Sequence, residues 1–355
     1  MEIVRRQEEP SGAGTGDNQA AEEPLRIAFI GCGRIVERYL AEGWAQLRQV
    51  ALTGWWSQRI ATAEARRAQA GCGEVFSDWR TMLNRVRPDA VLLAVPPFAH
   101  GTIETELISR HIPFLVEKPV GLEVASAKRL EAAISAADLV VGVGYNARFT
   151  AGVIRAKEAL AGQTPILVRG AVINDLARTP AFAGHWWIHR ALSGGQLVEQ
   201  TTHHIDLVRY LLDTEVRAVQ AMSVRVAGGR LLGADVEDAV LSHLSLANGA
   251  VASFTDATVI APGKGHSFEV LTPNLRIELI GWNRAARLLR PDGSVETVPA
   301  EERNFTRQLL AFIASVRAGR VIPPLATYAD GVKALEVAAA VNAALSAKQT
   351  QYLSG

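Results

Sequence analysis

The chain has only two cysteines, Cys32 and Cys72, in 355 residues. So few exclude a disulfide framework and a cysteine-built zinc centre. It also has little excess charge of either sign: 37 Lys and Arg stand against 36 Asp and Glu, a net +1. That balance gives no electrostatic reason to expect nucleic acid or an anionic membrane as partner. No apolar run reaches the roughly 18 residues that a membrane-spanning helix needs. The HExxH order of a zinc helix is missing as well, and Glu199-x-x-x-His203 lacks a cysteine partner, so no metal is expected. No internal repeat is visible. What is left is an ordinary globular composition, 48% hydrophobic and 21% charged, in a chain long enough for two domains.

Residues 1–24 are polar and lack hydrophobic periodicity, and they read as a disordered leader. Arg5-Arg6 is followed by acidic and polar residues instead of an apolar stretch, which argues against export. The expected location is the reducing cytoplasm.

From Leu25 to Gly144, apolar runs alternate with amphipathic stretches. LRIAFIG, VALTGWW, DAVLLAV, PFLVE and LVVGVGY are five candidate buried strands. Ile60–Ala70, Ala99–Arg110 and Val124–Ala136 are candidate helices between them. This rhythm predicts an α/β domain over 25–145 with a doubly wound parallel sheet. After Asn146 the rhythm changes. Helix patterns occupy Thr150–Leu160 and Leu197–Leu212. Strand patterns occupy Pro165–Val172, Ala218–Val226, Ala239–Ala247, Ala250–Ala257, Ser267–Leu271 and Leu275–Ile280. Asn248-Gly249 and Asp292-Gly293 are hairpin signals. Residues 146–355 therefore read as an α+β domain with a largely antiparallel open sheet. Helices near Glu301–Arg317 and Tyr328–Ala347 follow, the last expected to pack back on the first domain.

In LRIAFIGCGRIVERYL a strand runs through Gly31 and Gly33 straight into a helix. Gly31 permits the tight turn, Gly33 lets backbone approach a pyrophosphate, and the helix N-terminus supplies free N–H groups. Arg34 and Ile35 complete the candidate cofactor loop, whereas Val36 stands at the third glycine position. A second strand of this kind usually ends in an acid that binds the adenosine ribose. Here it ends in Ser57-Gln58-Arg59. A hydroxyl and a guanidinium suit a 2′-phosphate, so NADP is expected over NAD. The alternative is that Arg59 is a solvated residue at a helix start.

Glu117-Lys118-Pro119 ends a later strand of the same sheet. Burying an ammonium is costly. At the carboxyl edge of a doubly wound sheet, Lys118 would face the ligand crevice and could give or take a proton there. Pro119 fixes the following φ and admits a cis peptide. Taken alone, the tripeptide also allows a solvated strand-end lysine. Downstream, Glu199, His203 and Asp206 stand at i, i+4 and i+7, so a regular helix puts them on one face. His203 could then act with a carboxylate to orient it. His204 points roughly 100° away and reads as structural.

GCGRI, VPPFAHG at 95–101, EKP at 117–119, GYNARF at 144–149, GGQLVEQTTHHID and YADGVKALEVAAAVNAAL occur in this order. The combination resembles the Gfo/Idh/MocA oxidoreductases, the glucose–fructose oxidoreductase and inositol dehydrogenase superfamily, over Leu25 to Ser346. The resemblance implies a Rossmann domain, a second α/β domain whose open sheet makes a homo-oligomer (dimer or tetramer), and an active site between the two. It assigns Lys118 and His203 to proton transfer, with Glu199 where many members carry Asp and with Asp206 as the following acid. It sets Pro96, Pro97 and His100 beside the nicotinamide ribose, Glu117 and Lys118 at the cofactor edge, and Asn146 and Arg148 at the domain junction, Arg148 towards substrate.

The expected reaction is hydride transfer between NADP or NAD and a carbinol carbon of a sugar or polyol. His203 is the expected base, Lys118 stabilises the alkoxide, and Glu199 or Asp206 positions the imidazole. Trp186 and Trp187 either form a platform for a sugar face or pack the domain interface. Rival readings are an NAD-dependent glycosidase, a dihydrodiol-type dehydrogenase and a non-catalytic sensor of the same fold.

Overall fold

Leu25–Ile30 (β1) buries both its faces: Ile27 and Phe29 enter one core, Ala28 and Ile30 another. Such two-sided burial belongs to a central parallel strand. The computed structural model describes residues 23–178, 185–195, 197–226, 233–263 and 265–353, so the leader lies outside them except for Glu23 and Pro24. After β1 come α1 (Arg34–Ala41), β2 (Val50–Trp56), α2 (Ile60–Ala70), β3 (Glu74–Phe76), α3 (Trp79–Val86) and β4 (Ala90–Leu93). Then follow α4 (Thr102–Ser109), β5 (Phe114–Val116), α5 (Val124–Ala136) and β6 (Val141–Val143). The six strands pair in parallel in the order β3-β2-β1-β4-β5-β6. The order reverses between β1 and β4, where a doubly wound sheet opens its ligand crevice. The periodicity had indicated five strands. The sixth, β3, begins at the exposed Glu74 and lacks the apolar run that marks the others.

The second half contains α6 (Ala151–Leu160), β7 (Leu167–Ile173) and a four-residue α7 (Arg190–Ser193). A π-turn at Leu197–Thr201 then runs into α8 (Thr202–Leu212). The strands β8 (Val216–Val224), β9 (Ala239–Leu246), β10 (Val251–Ala257), β11 (Gly265–Leu271), β12 (Arg276–Ile280), β13 (Ala285–Leu289) and β14 (Val295–Val298) follow. With β7 and a terminal β16 (Gln351–Tyr352) they form a nine-stranded sheet, β14-β13-β12-β11-β7-β10-β9-β8-β16. Only β7 and β10 pair in parallel. Buried and exposed positions alternate along β7, β9, β11, β12 and β13; Val168, Phe254, Phe268, Ile277 and Leu288 are buried, while Leu241, Val251 and Met222 are exposed. Gly249 (φ +87°) and Gly293 (φ +83°) make the two hairpin turns where Asn-Gly and Asp-Gly stand.

Between β12 and β13 the turn is unusual. Gly281, Trp282 and Asn283 have φ of +60°, +63° and +63°. Left-handed backbone costs a non-glycine residue about 1–2 kcal/mol. The turn is held to the start of α6 by Thr150 Oγ1, which donates to the Asn283 carbonyl at 2.6 Å, and by the Gly152 N–H, which donates to the Arg284 carbonyl at 3.0 Å.

The chain then returns to its first half. On α9 (Asn304–Ala318), Phe305 meets the edge of Tyr39 at 5.0 Å, and the Thr306 N–H donates to Glu42 Oε2 at 2.9 Å. β15 (Ala326–Thr327) adds a seventh, antiparallel strand beside β6. Next, α10 (Tyr328–Ala347) starts on Thr327, whose hydroxyl accepts the Asp330 N–H at 3.1 Å. Gly331 lets α10 press on the strand edge, where a Cβ would lie 2.6 Å from Val120 Cγ1. The first sheet is thus completed by residues from the far end of the sequence.

Candidate active site

At the switch point Gly31 has φ +92°, and a Cβ there would lie 2.3 Å from the Ala94 carbonyl oxygen, so only glycine fits. Gly33 precedes α1 without a side-chain cap, and a Cβ on it would meet nothing within 4 Å. Open space before uncapped helical N–H groups fits a dinucleotide pyrophosphate. Arg34 and Ile35 form the first turn. Val36 is fully buried in the core beneath α1, which explains a side chain at the third glycine position. The Cys32 thiol donates to the Trp56 carbonyl at 3.2 Å and ties the loop to β2. Ser57 follows β2, and the exposed Arg59 precedes α2.

Beyond β4, Pro96 leads into a short 3₁₀ turn, Pro97–Ala99. The His100 imidazole is packed away: its Nδ1 meets the buried carboxylate of Glu104, whose other oxygen accepts the Gly101 N–H at 2.7 Å. The imidazole is thus held at the start of α4 through Nδ1, while its Nε2 has no hydrogen-bond partner.

At the end of β5, Lys118 Nζ donates to both the carbonyl oxygen (2.7 Å) and Oε1 (3.1 Å) of Glu199. The Lys118–Pro119 peptide is cis. Glu199 sits within the π-turn, a wider coil that presents its carbonyl to the lysine. Burial raises the Glu199 carboxyl, against the pull of Lys118. Glu117 lies beside it, 7% exposed, against Gly144, where a Cβ would be 2.8 Å from the carboxyl carbon. Burial pushes Glu117 up to about 8, with Lys118 opposing and Glu199 reinforcing.

His203 stands half-buried in the first turn of α8, where burial first and then the charge of Lys118 hold it well below 6.5. The ring of Tyr145 meets it edge-on at 6.1 Å and 82°, while the Tyr145 hydroxyl bonds Thr202 Oγ1 at 2.8 Å. Asp206 does not touch the imidazole. Fully buried, it is gripped by Arg148 Nε at 3.0 Å and Nη2 at 2.6 Å. This corrects two expectations, because Arg148 is bound to Asp206 and Asp330 and is not presented to substrate. Glu199 lies outside the regular helix that carries His203 and Asp206: the π-turn gives it to Lys118, while Asp206 is taken up by Arg148. His204 is fully buried between Phe254 and Phe268, as expected of a structural residue.

Asn146 Oδ1 accepts from Asn304 Nδ2 at 3.1 Å at the junction. Trp186 and Trp187 are half-buried and edge-to-face at 5.8 Å, and Trp186 reaches Phe98 of the first half at 6.3 Å. Two aromatic pairings were not anticipated: Tyr145 against His203, and His266 stacked on Trp282. Strand alternation through GHSFEVL could have placed His266 inward with Phe268 and Val270.

Residues 25–222 match an oxidoreductase family model described as an NAD-binding Rossmann fold, and residues 163–353 match the same family's C-terminal alpha/beta domain. The chain belongs to the Gfo/Idh/MocA oxidoreductase family. One relative of this Gfo/Idh/MocA member is the myo-inositol 2-dehydrogenase of Thermotoga maritima, 25% identical over 93% of this chain and 98% of that protein. The scyllo-inositol 2-dehydrogenase (NAD(+)) of Bacillus subtilis is 24% identical over 90% and 94%. A solved levoglucosan dehydrogenase, in complex with NADH and levoglucosan, shares the fold with a TM-score of 0.83. It is 20% identical and is covered over 93% of this chain and 99% of that one.

A carboxyl raised from 4.5 to about 8 by folding stabilises the fold fully below 4.5, and that contribution is lost as pH rises through about 8. Glu117→Gln should therefore lessen the fall in urea-unfolding free energy between pH 5 and pH 8; an unchanged slope would mean that Glu117 ionises as freely in the fold as outside it.

Proposed function

We propose that this chain is an NAD(P)-dependent dehydrogenase that oxidises a carbinol carbon of a sugar or polyol, with reduction of the corresponding carbonyl as the reverse. The observation that carries the reading is the meeting of Lys118, Glu199 and a neutral His203 at the carboxyl edge of the first sheet. Bound nicotinamide supplies the hydride acceptor. Gly31, Gly33, Arg34 and Ile35 would hold the pyrophosphate, and Pro96, Pro97, Glu117 and Asn146 would line the path to the reacting end. His203 takes the hydroxyl proton, since an imidazole held neutral is ready to accept it. Lys118, oriented by its two bonds to Glu199, stabilises the developing alkoxide. Trp186 and Trp187, with Phe98 beside them, offer an apolar face to sugar C–H groups.

Ser57 and Arg59 favour NADP. No carboxylate follows β2, and Arg59 makes no ion pair among the described residues. The outer face of the nine-stranded sheet, with Met222 71%, Val251 49% and Leu241 41% exposed, is proposed as the surface through which a cytoplasmic homo-oligomer forms.

Lys118→Ala and His203→Ala should each leave cofactor affinity nearly unchanged and lower turnover by roughly 10²-fold or more, as loss of a proton-transfer group does. Normal turnover in both would remove the assignment. Because the imidazole must be neutral to act and is held well below 6.5, the acid limb of kcat/KM should fall below pH 6.5. Fluorescence titration should give a lower dissociation constant for NADPH than for NADH; the opposite order overturns the role of Arg59. Analytical ultracentrifugation should find a dimer or tetramer, and a monomer at micromolar concentration would dismiss the sheet as an interface.

A further inference from the structure

Two carboxyls and one ammonium meet where β5 ends against the π-turn, and their charges do not balance. Lys118 Nζ directs its bonds to Glu199, at 2.7 Å to the carbonyl oxygen and 3.1 Å to Oε1. Glu117, the neighbouring residue, is 7% exposed and forms no ion pair among the described residues. Its Oε1 is sealed from solvent without a hydrogen-bond partner. Gly144 leaves the space that this carboxyl fills, since a Cβ there would lie 2.8 Å from Oε1. Lys118 beside it and Glu199 across the seam are the charged groups that act on it. The flanking strand ends, Leu93 of β4 and Gly144 of β6, bring none, and His203 of α8 is neutral. An ionised carboxylate without a partner is too costly to keep in such a place. With the one ammonium already answered by Glu199, the trio holds an extra proton. It rests on Glu117, whose carboxyl is lifted by burial to about 8.

The trio faces a ligand whose own charge changes. Glu117 ends β5 at the carboxyl edge of the first sheet, next to β4 and the switch point, where the reacting end of the cofactor would lie. An oxidised nicotinamide ring is a cation and the reduced ring is neutral, while the rest of the dinucleotide is the same. In a seam with little water, a charge acts strongly without direct contact. A cation arriving there supplies the partner that Glu117 lacks and favours its ionised form.

We infer that Glu117 senses the redox state of the cofactor: it gives up its proton when the oxidised dinucleotide binds and keeps it when the reduced one does. The inference rests on the function proposed above. The protons balance: one leaves the carboxyl for solvent as the oxidised form enters, and one returns once hydride transfer has removed the charge of the ring. Glu117 thereby sets how strongly the site prefers one redox form over the other, and it makes that preference depend on pH.

The test titrates the full chain with NAD+ and NADH, and with NADP+ and NADPH, by tryptophan fluorescence and calorimetry between pH 6 and pH 9. The ratio of the oxidised to the reduced dissociation constant is read within each pair, so that the adenosine 2′-phosphate cancels. Free Glu117 is protonated below about pH 8, so entry of the oxidised form must expel a proton there, and a higher pH favours it. The ratio should fall about tenfold between pH 6.5 and pH 8 and level off above that. Calorimetry in buffers of different ionisation enthalpy should find about one proton released at pH 7 with the oxidised form and about none with the reduced form. Glu117→Gln keeps the shape of the neutral carboxyl and cannot ionise. Its ratio should not vary with pH, and at pH 8 it should bind the oxidised form about tenfold more weakly than the wild type, the reduced form within about threefold. A wild-type ratio that is flat with pH, or a fall that persists in Glu117→Gln, overturns the inference while the dehydrogenase reading stands. If Glu117→Gln fails to fold, equal proton release with both redox forms of the wild type's cofactor overturns it instead. Failure of all four dinucleotides to bind overturns the proposed function, and this sensor with it.

Discussion

One ammonium organises the seam between the two halves. Lys118 leaves the end of β5, a buried strand, and is received by the carbonyl and the carboxylate of Glu199 on a turn 81 residues later in sequence. Two acceptors on one residue fix the nitrogen in direction as well as distance, which a single surface ion pair would not. The charge so placed is then felt throughout the cleft. It opposes the rise of Glu117 and Glu199 towards their neutral forms, and it adds to burial in keeping His203 and His266 unprotonated. Removing it would change the protonation tendency of four side chains at once.

Behind α8 lies a separate electrostatic arrangement whose task is to hold that helix still. Arg148 pairs with Asp206, Arg209 binds Glu215 at 2.7 and 2.8 Å, and both arginines reach Asp330 at the start of α10. Buried charges persist only when paired, and here the pairing joins the domain junction, α8 and α10. His203 is thereby carried on a helix that is clamped at Asp206 and Arg209, while its own ring meets Tyr145 edge-on. The imidazole is oriented by aromatic packing and helix placement, with the nearby acid engaged elsewhere.

Much of this was legible in the sequence, for physical reasons that can be named. Continuous apolar runs identified β1, β2, β4, β5 and β6, because strands buried on both faces have no polar side to interrupt them. Gly31 was legible because a side chain there collides with Ala94, and the Asn-Gly and Asp-Gly turns because left-handed backbone favours those residues. The strands β3, β13, β14, β15 and β16 were not, since each is short and carries polar or exposed residues, such as Glu74, Arg287, Glu296 and Thr327, that break an apolar run. The assignments of Asp206 and Arg148 went astray for a different reason. Spacing shows which side chains share a face but not which distant partner claims them, and Arg148, 58 residues away in sequence, takes both oxygens of Asp206. His100 shows the same limit: its motif was visible, but the buried Glu104 that captures it was not foreseen as a partner.

The way the chain doubles back has a consequence for how the molecule is made. Tyr39, Trp44 and Phe29 lie in a core that is closed by Phe305, Leu309, Phe312 and Ile313, and β6 gains its outer neighbour only when Ala326 and Thr327 arrive. A ribosome that has released the first 145 residues has therefore produced a sheet with one face uncovered and one edge unpaired. Such a surface is the kind that chaperones recognise and that aggregates when left waiting. Both halves wait on the end of the polypeptide, because α10 enters a core that spans the two and β8 gains its outer neighbour only when Gln351 and Tyr352 arrive.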